Sequence, residues 1–291
     1  MRRDLRRATF GLLLAAAIAG CSPPAVSVPF TEPAAAVVDG HTITLKAYQA
    51  RLQVSRHRDP FVGIPEAVPS PAPSQRLEDF TIEQLVREQV ARLEAARRGI
   101  SISNQAVDAR INLLKAKAGA TAFAAALERN GFSESSFKSY QSALFAQVAL
   151  IQAIARERAA SAASELRSGT SLASLAAKWS DDSGTSSRNG EVGWLRPNEI
   201  PEAPLARAVE ALTTGAVSPI IRTNRGLTIA TVLNRRSDQV QLAVILVLAP
   251  SVDLFSPQTT PSWYTTLIDD QESRLRRDGK IVIKVGSRAS S

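Results

Sequence analysis

PEAPLARAVEALTTGAVSPIIRTNRGLTIATVLNRR, residues 201–236, changes hydrophobic period half-way along. Ala206, Val209 and Leu212 recur at helical spacing, and Gly215 ends that helix because glycine accepts the backbone of a C-terminal cap. Beyond it, Val217, Ile220 and Ile221, then Ile229, Thr231 and Val232, are residues that suit a pleated surface. A third apolar run, Val240 to Val247, follows the short polar stretch Arg235–Gln239. Working back towards the N-terminus, TSLASLAAKWSDDSGTSSRNGEVGWL (residues 170–195) joins a helical segment to a Ser-Asp-Asp turn and a Gly-rich stretch holding Trp194. SAASELRSG (161–169) before it reads as helix.

Further upstream the pattern is helical. AAVVDGHTITL (35–45) holds two short apolar runs around Asp39-Gly40, the signal of a two-residue hairpin turn. A helix starts near Lys46, and five prolines make residues 58–75 a loop. Residues 79–98 form the strongest helix, with Ile82, Leu85, Val86 and Leu93 on one face and Glu83, Arg87, Glu88, Arg92 and Glu94 around the rest. Gly99 stops it. Ser103 or Asn104 caps a helix facing inwards through Val107, Ile111 and Leu114 and ending at Gly119. A short helix over 121–130 ends at Gly131, and Ser133 opens a long one bearing Phe137, Leu144, Val148 and Ile151. These apolar residues are read as core. At the other end, APSVDLFSPQTTPS (249–262) is a connection, a helix runs from Trp263 to about Arg277, and Lys280–Val285 alternates as a strand.

The chain has 291 residues and a formal charge of +8, with 44% hydrophobic and 21% charged residues. These values exclude wholesale disorder or a collagenous chain, and the length suggests two domains. One Cys, Cys21, precludes an internal disulfide and a Cys-rich zinc site. Only His41 and His57 are present, so the C-terminal two thirds has no histidine chemistry.

Residues 1–20 read as a signal peptide: Arg2, Arg3, Arg6 and Arg7, then an apolar stretch too short to span a bilayer. Ile18-Ala19-Gly20-Cys21 resembles a bacterial lipobox, which implies cleavage before Cys21, lipidation of its sulfur, and a lipid anchor on the extracytoplasmic face of the cell membrane. The alternative is an ordinary signal peptide with an incidental Cys. Residues 21–34 form a tether, and removal of four Arg and one Asp leaves a charge of +5. That charge suits an anionic membrane surface or acidic clients, or is simply a solvated basic face. Basic and aromatic residues are not interleaved, so no nucleic acid partner is expected.

The ordered set VVDGHTIT, a Pro-rich loop, ARRGISIS and AALERNGFSESSFKSYQSAL resembles the N-terminal module of SurA-like and PrsA-like foldases over about residues 35–158. The helix beginning at Trp263 and the strand after it resemble the C-terminal return of such chains. That implies a discontinuous helical chaperone module, 35–158 plus 260–286, cradling non-native polypeptide in a groove. Residues 161–236 resemble a parvulin, a peptidyl-prolyl isomerase domain. Three pieces carry this likeness: WSDD…NGEVGW, APLARAVEALTTGAVSPIIRT and RGLTIATVLNRR. Together the resemblances imply an α+β fold, a mostly helical SurA-N-like module with an inserted parvulin-like (FKBP-like) antiparallel-sheet domain over 161–248.

The resemblance places Asp182 on the family's Cys/Asp position and Thr223 on a family hydroxyl. It places Thr228, in Gly226-Leu227-Thr228-Ile229, on the strand histidine, and Val192, Ile200 and Leu205 on proline-pocket positions. Asp182 reads equally well as a loop cap. Trp194 is expected in the core or half-buried beside the pocket. The other family histidine sits in a first strand, His-Ile-Leu-Val, yet residues 144–160 read as helix. Val244-Ile245-Leu246-Val247 resembles that strand with Val244 in place of His, so a permuted domain is one reading. An extra edge strand, or a strand of the helical module, is the other.

The resemblance implies a parvulin-type isomerase for secreted proteins, with unfolded or proline-containing polypeptides as partners. Loss of both histidines favours an ATP-independent holdase whose parvulin domain only binds. A structural envelope lipoprotein is a third reading that nothing specific supports. No cofactor and no metal are expected, since no phosphate loop or ligand cluster appears, and without a dyad histidine a hydrolase is disfavoured.

Overall fold

The computed structural model describes residues 32–57 and 71–286. The expected signal peptide, Cys21, most of the tether and most of the Pro-rich loop lie outside the described residues. Helices are α1 (Leu45–His57), α2 (Leu77–Arg97), α3 (Asn104–Ala118), α4 (Ala120–Arg129), α5 (Glu134–Arg167), α6 (Leu172–Trp179), α7 (Ser183–Ser186), α8 (Ala203–Ala211) and α9 (Ser262–Arg277). Strands are β1 (Ala34–Val38), β2 (His41–Thr44), β3 (Glu191–Leu195), β4 (Ile221–Arg222), β5 (Gly226–Arg236), β6 (Gln239–Leu248) and β7 (Ile281–Ile283). None of the described helices is long and apolar enough to cross a membrane.

The β1–β2 hairpin turns through Asp39 (φ 47°) and Gly40 (φ 79°), the left-handed pair that matches strand twist. β7 pairs antiparallel with the other edge of β1, giving the sheet β2-β1-β7. The C-terminal segment therefore closes the N-terminal sheet. Ile82, Val86 and Val90 of α2, Leu150 and Ile151 of α5, and Ile268 of α9 fill one core with β1 and β7. A satellite core under α3 and α4 contains Phe123, Phe132 and Phe137, with rings of Phe123 and Phe132 edge-on to Phe137 at 5.7 and 5.2 Å.

α5 starts at a capping box, Ser133 and Ser136 each accepting from the other's backbone N–H. At 34 residues it is about 50 Å long. It carries two different faces. Its first half inserts Phe137 and Leu150 into the helical cores, and its second half lays Ala155, Ala159, Ala162 and Ala163 against the larger sheet. Small side chains let the helix approach the sheet closely. Residues 158–161 are thus mid-helix.

The larger sheet is antiparallel, in the order β3-β6-β5-β4. β6 pairs with β5 from Gly226↔Leu248 to Arg236↔Gln239, and its other edge pairs with β3. The strand over 240–248 is therefore central to this sheet. The edge-strand alternative and the helical-module alternative both fall, and a strand that comes late in sequence sits inside the parvulin-like sheet.

Two expectations need correction. The strand expected across Val217–Ile221 shrinks to Ile221–Arg222, with one bridge at Val217 and an exposed Ile220. Pro219 has no N–H to give the ladder, and beside it the Ser218 hydroxyl takes the place of a backbone carbonyl, accepting from Ala230 N at 2.9 Å. Glu94, expected among the charged remainder of α2, is buried. Its carboxylate accepts from Arg97 Nη2 at 2.8 Å and Arg98 Nε at 2.9 Å, which satisfies it there.

Candidate functional site

The larger sheet presents two faces. Thr228 on β5 lies opposite Leu246 on β6, and Ala230 lies opposite Val244, so by strand alternation these four share a face. Ile200, Leu205 and Val209 pack on that face against Ala230, Val232, Leu242 and Val244. The two positions that the resemblance assigns to histidine, Thr228 and Val244, are therefore diagonal neighbours on adjacent central strands. Both side chains are buried.

A tight turn closes the β4–β5 end. Thr223 N donates to Gly226 O at 2.8 Å, and Gly226 N donates to Thr223 Oγ1 at 3.3 Å. The Thr223 hydroxyl lies 3.4 Å from that of Thr228. Glu202, just before α8, accepts from Asn224 N at 3.2 Å and holds the turn against that helix. Arg225, in the same turn, donates to Asp182 Oδ1 at 3.3 Å. Asp182 Oδ2 accepts from Thr185 Oγ1 at 2.8 Å.

The structure thus gathers Asp182, Thr223 and Thr228 at one end of the sheet, linked through Arg225. Ile200 and Leu205 are near them on the Thr228 face, yet only 7% and 9% exposed, packed in one apolar cluster. Val192 departs from its expected place. It lies at an irregularity where β3 shifts register between Glu191 and Gly193, is 39% exposed, and is outside that cluster. Trp194 is half-buried, with Arg236 stacked over its ring at 4.2 Å.

The neighbouring carboxylate, Asp181, was not singled out by the sequence. Beyond the end of β3, the free edge of β6 is satisfied by residues of the Ser-Asp-Asp turn. Ser180 Oγ accepts from Leu246 N at 3.2 Å, and Asp181 N donates to Leu246 O at 2.7 Å. Asp181 Oδ2 accepts from Leu248 N at 2.8 Å and from Trp263 Nε1, on α9, at 3.0 Å. Arg158 of α5 lies between the rings of Trp179 and Trp263, 5.0 and 5.2 Å from their centroids. Burial raises the Asp181 carboxyl above its ordinary value, opposed by both hydrogen bonds and by Arg158. Burial likewise lowers the Arg158 guanidinium, with Asp181 opposing. This cluster clamps α9 onto the sheet end.

The helical module supplies a second kind of site. A cavity of about 290 Å³ lies between α1, α2, α5, α9 and the 249–262 connection. Phe80, Tyr140, Leu144, Phe255, Tyr264 and Ile268 give it apolar walls, and Gln84, Gln147 and Thr265 add polar groups. One wall is an ion pair. Arg51 Nη1 and Nη2 donate to the two Glu88 oxygens at 2.5 and 3.0 Å, and the guanidinium lies 4.9 Å from the Tyr140 ring centroid. Burial pulls Arg51 down, but Glu88 outweighs it and holds the guanidinium above its ordinary value. Burial pushes the Tyr140 hydroxyl up to about 12. The sequence offers one signal for these residues, polar side chains next to apolar stripes. Which of them meet across three helices is not local information.

A family model described as the SurA-like N-terminal domain matches residues 3–151, just over half of the chain. The chain belongs to the SurA-like family. A second model, the rotamase PPIC-type PPIase domain, matches residues 146–234 and stops short of β6. The chain is thus a SurA-like protein with a parvulin-type domain. Among curated proteins, Chaperone SurA of Aromatoleum aromaticum is 40% identical over 80 residues, 27% of this chain and 18% of that one. Chaperone SurA of Chromohalobacter salexigens is 36% identical over 75 residues, 26% of this chain and 17% of that one. The matched stretches span less than a fifth of these SurA chaperones. Among solved structures, the peptidylprolyl isomerase PrsA from Bacillus cereus is 15% identical, covers 84% of each chain and gives a TM-score of 0.24. The foldase protein PrsA from Streptococcus pneumoniae is 16% identical, covers 72% of this SurA-like chain and 86% of its own, and gives 0.28. TM-scores this low carry no argument.

Proposed function

We propose that this protein is a lipid-anchored foldase on the extracytoplasmic face of a bacterial membrane. In this reading it holds unfolded, proline-containing polypeptide in the helical module and isomerises X-Pro bonds in the parvulin-type domain. The observation that carries it is the convergence of Thr223, Thr228 and Asp182 at one sheet end in a chain with a SurA-like helical module. The X-Pro barrier of about 18–20 kcal/mol falls when a site binds the twisted amide better than the planar one. That requires positioned donors and an apolar seat for the ring rather than a titrating group. The Thr223 and Thr228 hydroxyls are donors that stay in one protonation state across neutral pH.

A second reading has its own observation. Ile200 and Leu205 are closed into the core, and Val244 and Leu246 fill the face beside Thr228. A domain so packed binds polypeptide as a holdase without catalysis. Exchange NMR on a panel of X-Pro peptides separates the two. Acceleration that is lost in Asp182→Ala and Thr228→Val supports isomerisation. Perturbed peptide shifts with no acceleration in the wild type sink it and leave the holdase. Lipidation of Cys21 is tested by mass spectrometry of the protein from membranes, and an unmodified Cys21 would remove the anchor.

A further inference from the structure

On the far side of the Arg51–Glu88–Tyr140 wall lies a second cavity of about 240 Å³. Its apolar lining includes Ile43, Val54, Leu85 and Phe132. Arg92 reaches into its lining from α2, half-buried, and donates one hydrogen bond, from Nη2 to the Ser139 carbonyl at 3.1 Å. A guanidinium offers five donors. Among the described residues, none places a carboxylate within 4.0 Å of it. Glu88 lines the same cavity, but both its oxygens are engaged by Arg51. Among the described residues the two arginines face one carboxylate, which leaves one positive charge of this cavity without a partner there. A half-buried cation without a counterion is held at a cost, which an entering anion would offset.

We propose that this cavity binds a carboxylate of the held polypeptide, with Arg92 as its ligand and an adjacent apolar side chain seated on Leu85 and Phe132. The inference rests on the polypeptide-holding reading of the helical module. The planar fork of Arg92 suits a two-oxygen acceptor. The volume admits one carboxylate and its neighbouring side chain. The carboxylate comes from an Asp or Glu side chain or from the carboxyl terminus of the held polypeptide.

Three fluorescent peptides of one apolar sequence test this with the purified protein, by anisotropy titration. One carries an internal Glu and a C-terminal amide, one a neutral sequence and a free C-terminus, and one is neutral and amidated. The expected result is about tenfold tighter binding of an acidic peptide than of the neutral one, the size of a charge-assisted hydrogen bond. Which acidic peptide gains identifies the source. The gap should close to within about twofold in Arg92→Gln and persist in part in Arg92→Lys. Equal binding of all three by the wild type overturns the carboxylate site and leaves the holding function intact. A gap that survives Arg92→Gln overturns the assignment to Arg92. If no peptide binds, the holding function and the carboxylate site fall together. Should Arg92→Gln fail to fold, the wild-type comparison of acidic and neutral peptides still decides.

Discussion

The Asp181 clamp separates two physical roles of a carboxylate, charge and acceptor. Leu248 N and Trp263 Nε1 both converge on the same oxygen, Oδ2, at 2.8 and 3.0 Å. Asp181→Ala removes that oxygen and leaves two half-buried N–H groups unpaired. At roughly 1–3 kcal/mol for each orphaned donor, discounted for partial exposure, the expected cost is about 2–3 kcal/mol. Asp181→Asn can place its carbonyl oxygen where Oδ2 was and keep both bonds. It loses the attraction to Arg158 but also relieves the larger penalty of burying the charge, and the expected cost at pH 7 is below about 1 kcal/mol. The pH dependence has a defined sign. The folded carboxyl titrates above its unfolded value of about 3.9, so its contribution is greatest below that value. It is lost as pH rises through the folded pKa. The cost of Asp181→Asn should therefore shrink as pH rises from acid to neutral. Urea unfolding followed by tryptophan fluorescence gives the stabilities, and exchange of the Leu248 amide reports the local bond. If Asp181→Asn costs as much as Asp181→Ala at pH 7, charge rather than the single acceptor holds α9, and the reasoning is wrong.

Gly226→Ala should destabilise by about 3 kcal/mol or more in urea unfolding, because its Cβ would overlap the Val247 carbonyl and meet Ala249 N at 2.7 Å, both backbone atoms. The Thr223–Gly226 turn would be disturbed with it, so peptide shifts at that site should change too. Glu94→Gln should cost about 1–2 kcal/mol at pH 7. Burial raises the Glu94 carboxyl, but hydrogen bonds from Arg98 and Arg97 outweigh it and hold it below the ordinary range. Its contribution is thus present above about pH 4.3 and lost as pH falls through the folded pKa, and the gap to Glu94→Gln should close in acid unfolding. Ala159→Leu should cost about 1–3 kcal/mol in thermal unfolding, since Ala159 is fully buried against the Leu227 and Val247 cluster. A stability within about 0.5 kcal/mol of wild type would mean that α5 does not sit close on the sheet.

The elements themselves were legible where the signal is local. Asp39-Gly40 turns as its dipeptide requires, and Ser103 and Ser133 cap the helices they precede. Gly119 ends a helix with φ 82°. Local pattern failed where a side chain substitutes for backbone, as Ser218 does beside Pro219. It failed again where charge is neutralised inside the protein. Glu94 and Glu88 look like surface residues of an amphipathic helix until Arg97, Arg98 and Arg51 are seen around them.

The candidate site divides in the same way. The residue types can be read directly from the chain: hydroxyls at 223 and 228, a carboxylate at 182, and no histidine in the C-terminal two thirds. That Thr223, Thr228 and Asp182 share one sheet end depended on the turn at Arg225 and on strand pairing across β5. Tertiary packing makes β6 central, closes in Ile200 and Leu205 but not Val192, and lets Asp181 rather than Asp182 hold α9. The physical reason is range. Helix caps and turns are settled by hydrogen bonds over three or four residues. The place of β6 beside β3, or of an arginine between tryptophans of two other helices, is settled by which apolar faces can be buried together, and that is a property of the whole molecule.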